Sequence, residues 1–357
     1  MFIIKLRPTM VDFYPVITED GTLSLFNTKI NDIYHSKIGA YTEALNKFVL
    51  PSEIVEYAQS HDNIRILDIC FGLGYNTRVA INEIWKVNPK CRIHVTGIEI
   101  DPNVLACSYY VNFDGEDPQC RNVLKRLLLS NPLTRGILLN LHKDVNFNFT
   151  STQNISPFKK LSRKRQVKYY ITTPETSFLH NIYYGSVSHR NKNERIIKYC
   201  NDLLDIDLCI CDVRTIICEL KGPYNYIFHD PFTPSILPSL WTADLFGEIH
   251  RMLDDNGNLT TYTSSSAVRS GMIEAGFSIG TTNPVGRKSS GTIAYKDAKF
   301  IVTPLDKNEC GLLDTNAGIP YYDEELKLTD DKILDNRENM IKQSERISTS
   351  QYIKSTR

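Results

Sequence analysis

I-R-I-L-D-I-C-F-G-L-G-Y-N-T, residues 64–77, is the stretch whose reading decides the fold. Ile64, Ile66, Leu67 and Ile69 form a short β-rich apolar run of the kind that a parallel sheet buries on both faces. Gly72 and Gly74 then let the backbone turn sharply and approach a ligand before a helix opens. A dinucleotide fingerprint wants a third glycine where Thr77 stands, so the close helix packing used at a pyrophosphate is missing and a different adenosine ligand is favoured. A lone G-x-G also fits a plain strand-to-helix turn, so the rest of the chain must decide.

Working outward, Val79, Ala80, Ile84 and Trp85 mark a helix closed by Asn88-Pro89, and residues 93–100 read as the next strand, ending in Glu99. A helix with Pro102 in its first turn follows. Upstream, residues 13–25 alternate around Glu19-Asp20-Gly21-Thr22, which predicts a hairpin. Residues 39–58 have helical spacing broken at Pro51, with Ser52 placed to cap the second piece. Downstream, residues 208–212 and 224–230 are apolar strands that each finish on an aspartate. Thr242 is expected to cap a helix whose core face is Leu245, Phe246, Ile249, Met252 and Leu253, and a further helix over 267–275 and strands near Phe277 and Thr292 complete the pattern.

Residues 113–205 read differently, as a polar stretch without sustained period. From Val145 to Cys200 there are ten Lys or Arg against two Glu, and Lys159, Lys160, Arg163, Lys164, Arg165 and Lys168 fall in one run. Such a run is either a solvated surface or an RNA contact. The expected organisation is residues 1–60 as hairpin and helices packed on the core, 61–112 and 206–300 as the core, 113–205 as a basic, partly flexible insertion, and 301–357 as a tail with a helix starting near Asp330.

The 357 residues, 41% of them apolar and 10% aromatic, suffice for a globular core. Lys plus Arg and Asp plus Glu are both 41, so overall charge gives no support to nucleic-acid binding and local charge must supply it. The nine cysteines form no paired metal pattern, which points to a reduced cytoplasm and no metal site. No run approaches a membrane span or a signal sequence.

Four acidic residues stand at or after four core strands: Asp68, Glu99, Asp212 and Asp230. In an open α/β sheet ligands lie at the carboxyl ends of the strands. A carboxylate at the second strand suits both ribose hydroxyls, and one at the third suits an adenine amino group. S-adenosylmethionine offers those donors without phosphates, and its sulfonium tolerates neighbouring carboxylates that would repel a pyrophosphate. Plainer readings exist: Glu99 as an exposed strand-end carboxylate, Asp212 as a helix cap, His229 as a core histidine. Asp230, in F-H-D-P-F, is boxed by aromatic rings and a proline that stiffen its loop.

The runs F-G-L-G-Y-N, H-D-P-F-T-P-S-I-L-P-S-L-W-T-A-D-L-F, T-Y-T-S-S-S-A-V-R-S-G-M-I-E-A-G-F and V-G-R-K-S-S-G-T resemble, in that order, the methyltransferase part of the MnmC family. D-G-T-L-S-L, A-Y-T-E-A-L and I-P-Y-Y-D-E-E-L fit it too, so most of residues 12–345 is covered apart from 113–205. The resemblance implies an α/β, Rossmann-like S-adenosylmethionine-dependent methyltransferase with an N-terminal hairpin and helical extension and a polar basic insertion. Its expected reaction is methylation of the aminomethyl group on the wobble uridine of tRNA, with the anticodon region as partner and no obligate protein partner. Gly72, Gly74 and Asn76 are then expected to line the cofactor loop, Glu99 to hold the ribose, Asp212 to meet the adenine, Glu43 to approach the methionine end and Asp230 to face the substrate amine. The chain departs from the family in Pro231, in the length of its basic stretch and in carrying no oxidase domain, which implies a single activity.

Methyl transfer is an in-line displacement, so the enzyme aligns its partners and presents a neutral amine. Asp230 is expected to take the amine proton. Phe228, Phe232 and Trp241 are expected either to stack on an extruded base or to be core, and Arg287 and Lys288 to contact tRNA. Competing readings are a small-amine or polyamine transferase of the same fold and a catalytically silent RNA-binding module.

Overall fold

The computed structural model describes residues 12–143, 196–285 and 289–356. In chain order the described strands are β1 Phe13–Ile17, β2 Leu23–Asn27, β3 Asp32–Ile33, β4 Asn63–Ile69, β5 Arg92–Glu99, β6 Ile196–Cys200, β7 Leu204–Ile210, β8 Tyr224–His229, β9 Leu253–Thr261, β10 Ser278–Thr281 and β11 Thr292–Tyr295. The helices are α1 Ala40–Ala44, α2 Ile54–Ala58, α3 Tyr75–Val87, α4 Pro102–Cys107, α5 Pro118–Ser130, α6 Pro132–Lys143, α7 Ala243–Met252, α8 Ser266–Glu274, α9 Lys307–Leu313, α10 Asp330–Gln343 and α11 Thr349–Ser355. The chain divides into two compact units, one comprising residues up to Leu45 with Phe71–Ile210, the other Asn46–Cys70 with Cys211 onward.

In the first unit β1 and β2 form the expected hairpin, with Ile17 opposite Leu23, and β3 adds a short third strand. The turn residue Asp20 also reaches forward to α1: its Oδ2 accepts from both the backbone N–H and the hydroxyl of Thr42, at 3.0 Å each. Its Oδ1 accepts from Thr18 and Thr22, and the Thr22 hydroxyl receives the Ala40 N–H. The helix start is thus capped from another part of the sequence, and Gly39 leaves the space that a side chain would take from the Asp20 carboxylate. Burial opposes the ionised Asp20, but these hydrogen bonds outweigh it and hold the carboxyl below its usual range.

The same unit carries the parallel pair β5 and β7, in register from Ile93 opposite Leu204 to Glu99 opposite Ile210, with β6 antiparallel on β7. Part of the stretch 113–205, expected to lack a period, is regular. In α5, capped by Asp117, the buried residues Cys120, Val123, Leu124, Leu127 and Leu128 recur at helical spacing, while Arg121, Lys125 and Arg126 on the other faces give the stretch its polar composition. From α3, the buried Arg78 guanidinium pairs with the buried Glu116 carboxylate and donates to the Ser108 carbonyl.

In the second unit β4, β8 and β9 are parallel neighbours, and β11 and β10 continue antiparallel beyond β9. β4 and β8 are buried nearly throughout, as continuous apolar strands should be. Thr242 caps α7 by accepting from Leu245, as expected. Ser52 does not cap the helix after Pro51. Its hydroxyl donates to the Val49 carbonyl, and α2 begins after Glu53, whose φ of 58° places it in the left-handed region. Among the described residues no helix is long and apolar enough to cross a membrane.

Candidate active site

The glycine turn is shaped by Phe71. Gly74 has φ +79°, and a Cβ there would lie 2.5 Å from the Phe71 ring. The same ring closes over Gly97 of β5. Phe71 is itself held by its N–H on the Ile98 carbonyl. The glycines therefore serve the packing of the turn as well as its curvature. The Leu73 carbonyl accepts from the Ser108 hydroxyl, which links the turn to the Arg78 and Glu116 pair.

Glu99 ends β5 with its side chain buried. Its Oε2 accepts from the Gly72 N–H and its Oε1 from the Asp101 N–H, both at 2.9 Å. Burial pushes its carboxyl up to about 7, although these two hydrogen bonds and that of Ile100 favour the charged form. A carboxylate offers about four acceptor positions, so with these three hydrogen bonds one remains for a further donor. Next to it Ile100 is 64% exposed, an apolar side chain presented to solvent beside a carboxylate. Asp101 then caps α4 by accepting from Asn103. Asn76 is buried in the first turn of α3, and Glu43 is buried in α1, accepting from the Ser36 N–H.

In the second unit, Asp212 stands after β7 as the cap of a short helical turn, the plainer of its two sequence readings. Its Oδ1 accepts from the Arg214 N–H and its Oδ2 from the Arg214 guanidinium at 2.8 Å. Arg214 also donates to Asp323, a fully buried carboxylate in the C-terminal segment. Asp230 follows β8, half-buried, with its N–H on the Ile69 carbonyl of β4. The Tyr262 hydroxyl donates to the Pro231 carbonyl, and the Trp241 indole N–H donates to the Phe232 carbonyl, both across short distances of 2.9 and 2.8 Å. The loop after Asp230 is thereby fixed at consecutive residues.

Trp241 is fully buried, edge-on to His229 and Tyr262, which favours the core role of its two expected roles: it presents no face and braces the loop from behind. Phe228 is likewise a core ring. Phe232 keeps partial exposure. His229 is a core histidine, its Nε2–H on the Leu240 carbonyl and its basicity lowered to about 4 by burial. Arg287, Lys288 and the six basic residues from Lys159 to Lys168 lie outside the described residues. Arg214, Asp323, Ile100 and Tyr262 went unnoticed in the sequence. The signals were the positions of Tyr262 within T-Y-T-S-S-S and of Asp323 within I-P-Y-Y-D-E-E-L.

A family model described as S-adenosyl-L-methionine-dependent methyltransferase matches residues 174–297. The chain is 30% identical over 324 residues to the protein MJ0670 of Methanocaldococcus jannaschii, across 90% of this chain and 71% of that one. It superposes on the crystal structure of MnmC2 from Aquifex aeolicus with a TM-score of 0.65 and 26% identity, covering 95% of this chain and 88% of that chain. The chain belongs to the MnmC-like family of S-adenosyl-L-methionine-dependent methyltransferases. It is also 24% identical over 264 residues to the bifunctional MnmC of Burkholderia pseudomallei, the tRNA 5-methylaminomethyl-2-thiouridine biosynthesis protein, and there the match spans 73% of this chain and 32% of that protein. The chain thus aligns with about a third of the bifunctional MnmC.

The residues of this MnmC-like chain fit the cofactor. Glu99 keeps an acceptor position for a ribose hydroxyl, and the apolar Ile100 beside it suits a flat ring. Neither a third glycine nor a cationic side chain accompanies the turn at residues 71–77, so nothing in it is built for a pyrophosphate.

Proposed function

We propose that the chain methylates the aminomethyl group of the wobble uridine in tRNA, converting nm5(s2)U to mnm5(s2)U. The observation that carries this reading is the anchored loop at the end of β8. Asp230 is held through its own N–H, the Pro231 carbonyl is tied by Tyr262 and the Phe232 carbonyl by Trp241, so the backbone that carries one carboxylate and one partly exposed ring is anchored at three consecutive residues. A carboxylate and a partly exposed ring carried on one anchored loop suit an amine borne by a nucleobase.

In this reading Glu99 holds the ribose hydroxyls, Gly72, Gly74 and Asn76 shape the loop around the cofactor, Asp212 meets the adenine amino group and Glu43 serves the methionine end. S-adenosyl-L-methionine, when bound, supplies an electrophilic methyl on its sulfonium. Asp230 accepts a hydrogen bond from the substrate amine and takes its proton, so that the nitrogen lone pair is free to attack. Phe232 stacks on the extruded base, and rigid anchoring of the loop keeps amine and carboxylate aligned without reorganisation. Arg287 and Lys288 contribute phosphate contacts, with the anticodon region as the bound part of tRNA.

The test is mass spectrometry of nucleosides from tRNA bearing 5-aminomethyluridine, before and after incubation with the protein and isotopically labelled S-adenosyl-L-methionine. Appearance of the labelled methylaminomethyl nucleoside is the expected result. Label found on a free polyamine instead, or on nothing, would sink the reading.

A further inference from the structure

Asp212 is not left to find its own orientation. Three N–H groups of Arg214 converge on it: the backbone N–H at 3.0 Å and Nε at 3.3 Å on Oδ1, with Nε at 3.2 Å and Nη2 at 2.8 Å on Oδ2. Planar guanidinium against planar carboxylate fixes the rotation of the carboxylate as well as its place. Three donors on about four acceptor positions leave room for one more, and the Asp212 side chain is still 26% exposed.

Arg214 is in turn held from its other end. Its Nη1 donates to Asp323 Oδ2 at 3.1 Å and to the Leu328 carbonyl at 2.8 Å. Asp323 is buried, its Oδ1 accepts from the Lys327 and Leu328 N–H groups, and its own N–H is bound by Asp244 at the start of α7. The turn at 323–328 is therefore a preformed socket. Two carboxylates share one guanidinium, so a negative charge remains at the pair.

We propose that Arg214 is a positioning and specificity residue that aims the remaining acceptor of Asp212 at a purine 6-amino group, and that the C-terminal socket around Asp323 keeps Arg214 in place. The proposal rests on the reading of Asp212 as the adenine partner. It assigns to the C-terminal segment a part in choosing the nucleoside. A ligand with a 6-amino donor is accepted, and one with a 6-oxo acceptor faces a like lone pair that Arg214 prevents from turning away.

Calorimetry with S-adenosylhomocysteine and S-inosylhomocysteine tests it on the intact chain. The wild type is expected to prefer the adenine compound by roughly ten- to hundredfold, the worth of one charge-assisted hydrogen bond. In Arg214→Met that ratio is expected to fall to within about threefold, with Arg214→Lys restoring part of it as a point charge without the planar fork. Asp323→Asn is expected to reduce the ratio as well, while keeping the carbonyl acceptor for Lys327 and Leu328, and serves in place of Arg214→Met should that variant not fold. A folded Arg214→Met or Asp323→Asn that weakens both ligands equally and keeps the wild-type ratio overturns the proposal. A wild type that binds both compounds alike refutes instead the adenine role of Asp212.

Discussion

The carboxylate of Glu99 and the backbone N–H of Gly72 meet at 2.9 Å, so the end of β5 and the glycine turn share a hydrogen bond through the side chain expected to hold the ribose. Because that carboxyl is pushed up to about 7 by burial, its charge changes close to neutrality. Donor hydroxyls favour the carboxylate, so cofactor affinity should rise as pH rises toward about 7 and level off above it. The linked effect on the empty fold has the opposite sign. Between the ordinary value of 4.5 and about 7 the folded state holds the extra proton, so this group's contribution to stability falls as pH rises through that window. Calorimetry from about pH 5.5 to 8.5 on wild type and Glu99→Gln checks it: the variant should bind weakly and lose the slope.

Asp230→Asn keeps the shape of the loop but cannot take a proton. We expect cofactor affinity close to wild type and a loss of turnover of about 10² to 10⁴. Single-turnover assays on aminomethyluridine tRNA read this directly, and native rates in the variant would leave Asp230 with a structural role alone.

Trp241 and Phe232 should separate. Trp241→Ala removes a fully buried ring and should cost about 3–5 kcal/mol, seen as a lowered melting temperature. Phe232→Ala, at a partly exposed ring, should leave melting near wild type and weaken tRNA binding by the worth of one stacked base, about 1–3 kcal/mol. Equal melting temperatures for the two variants would contradict the assignment of Trp241 to the core.

Breaking the buried pair behind the glycine turn should be severe. Glu116→Ala leaves the Arg78 guanidinium buried without its partner and should destabilise by about 3–5 kcal/mol in denaturant titrations. Replacing both residues with apolar side chains should recover much of that loss, since the fully buried guanidinium is gone and Arg121, which also pairs with Glu116, is partly exposed.

What the sequence revealed follows from where the information is local. Continuous apolar runs give β4 and β8 away and place Glu99 and Asp230 at strand ends, a threonine before an apolar-periodic run marks α7, and the resemblance supplies the roles of the two carboxylates. The helix α5 was hidden because its apolar face is diluted by arginine and lysine on the others, so composition masked the period. Ser52 was misjudged because capping needs a particular backbone geometry, and the left-handed Glu53 intervenes. Trp241 was undecided for a similar reason, since residue type does not say on which side of a loop a ring packs. Arg214 and Asp323 stand 109 residues apart in sequence, and no pattern of spacing announces a contact at that range.

The cap that Asp20 places on α1 has a bearing on how the chain folds. A five-residue helix cannot persist alone, and this one receives its first hydrogen bonds from the turn of the hairpin. The segment bearing Glu43 therefore depends on the closed turn between β1 and β2 for its cap, so a lesion in the Thr18 to Thr22 turn is expected to surface as a loosened Glu43 some twenty residues later.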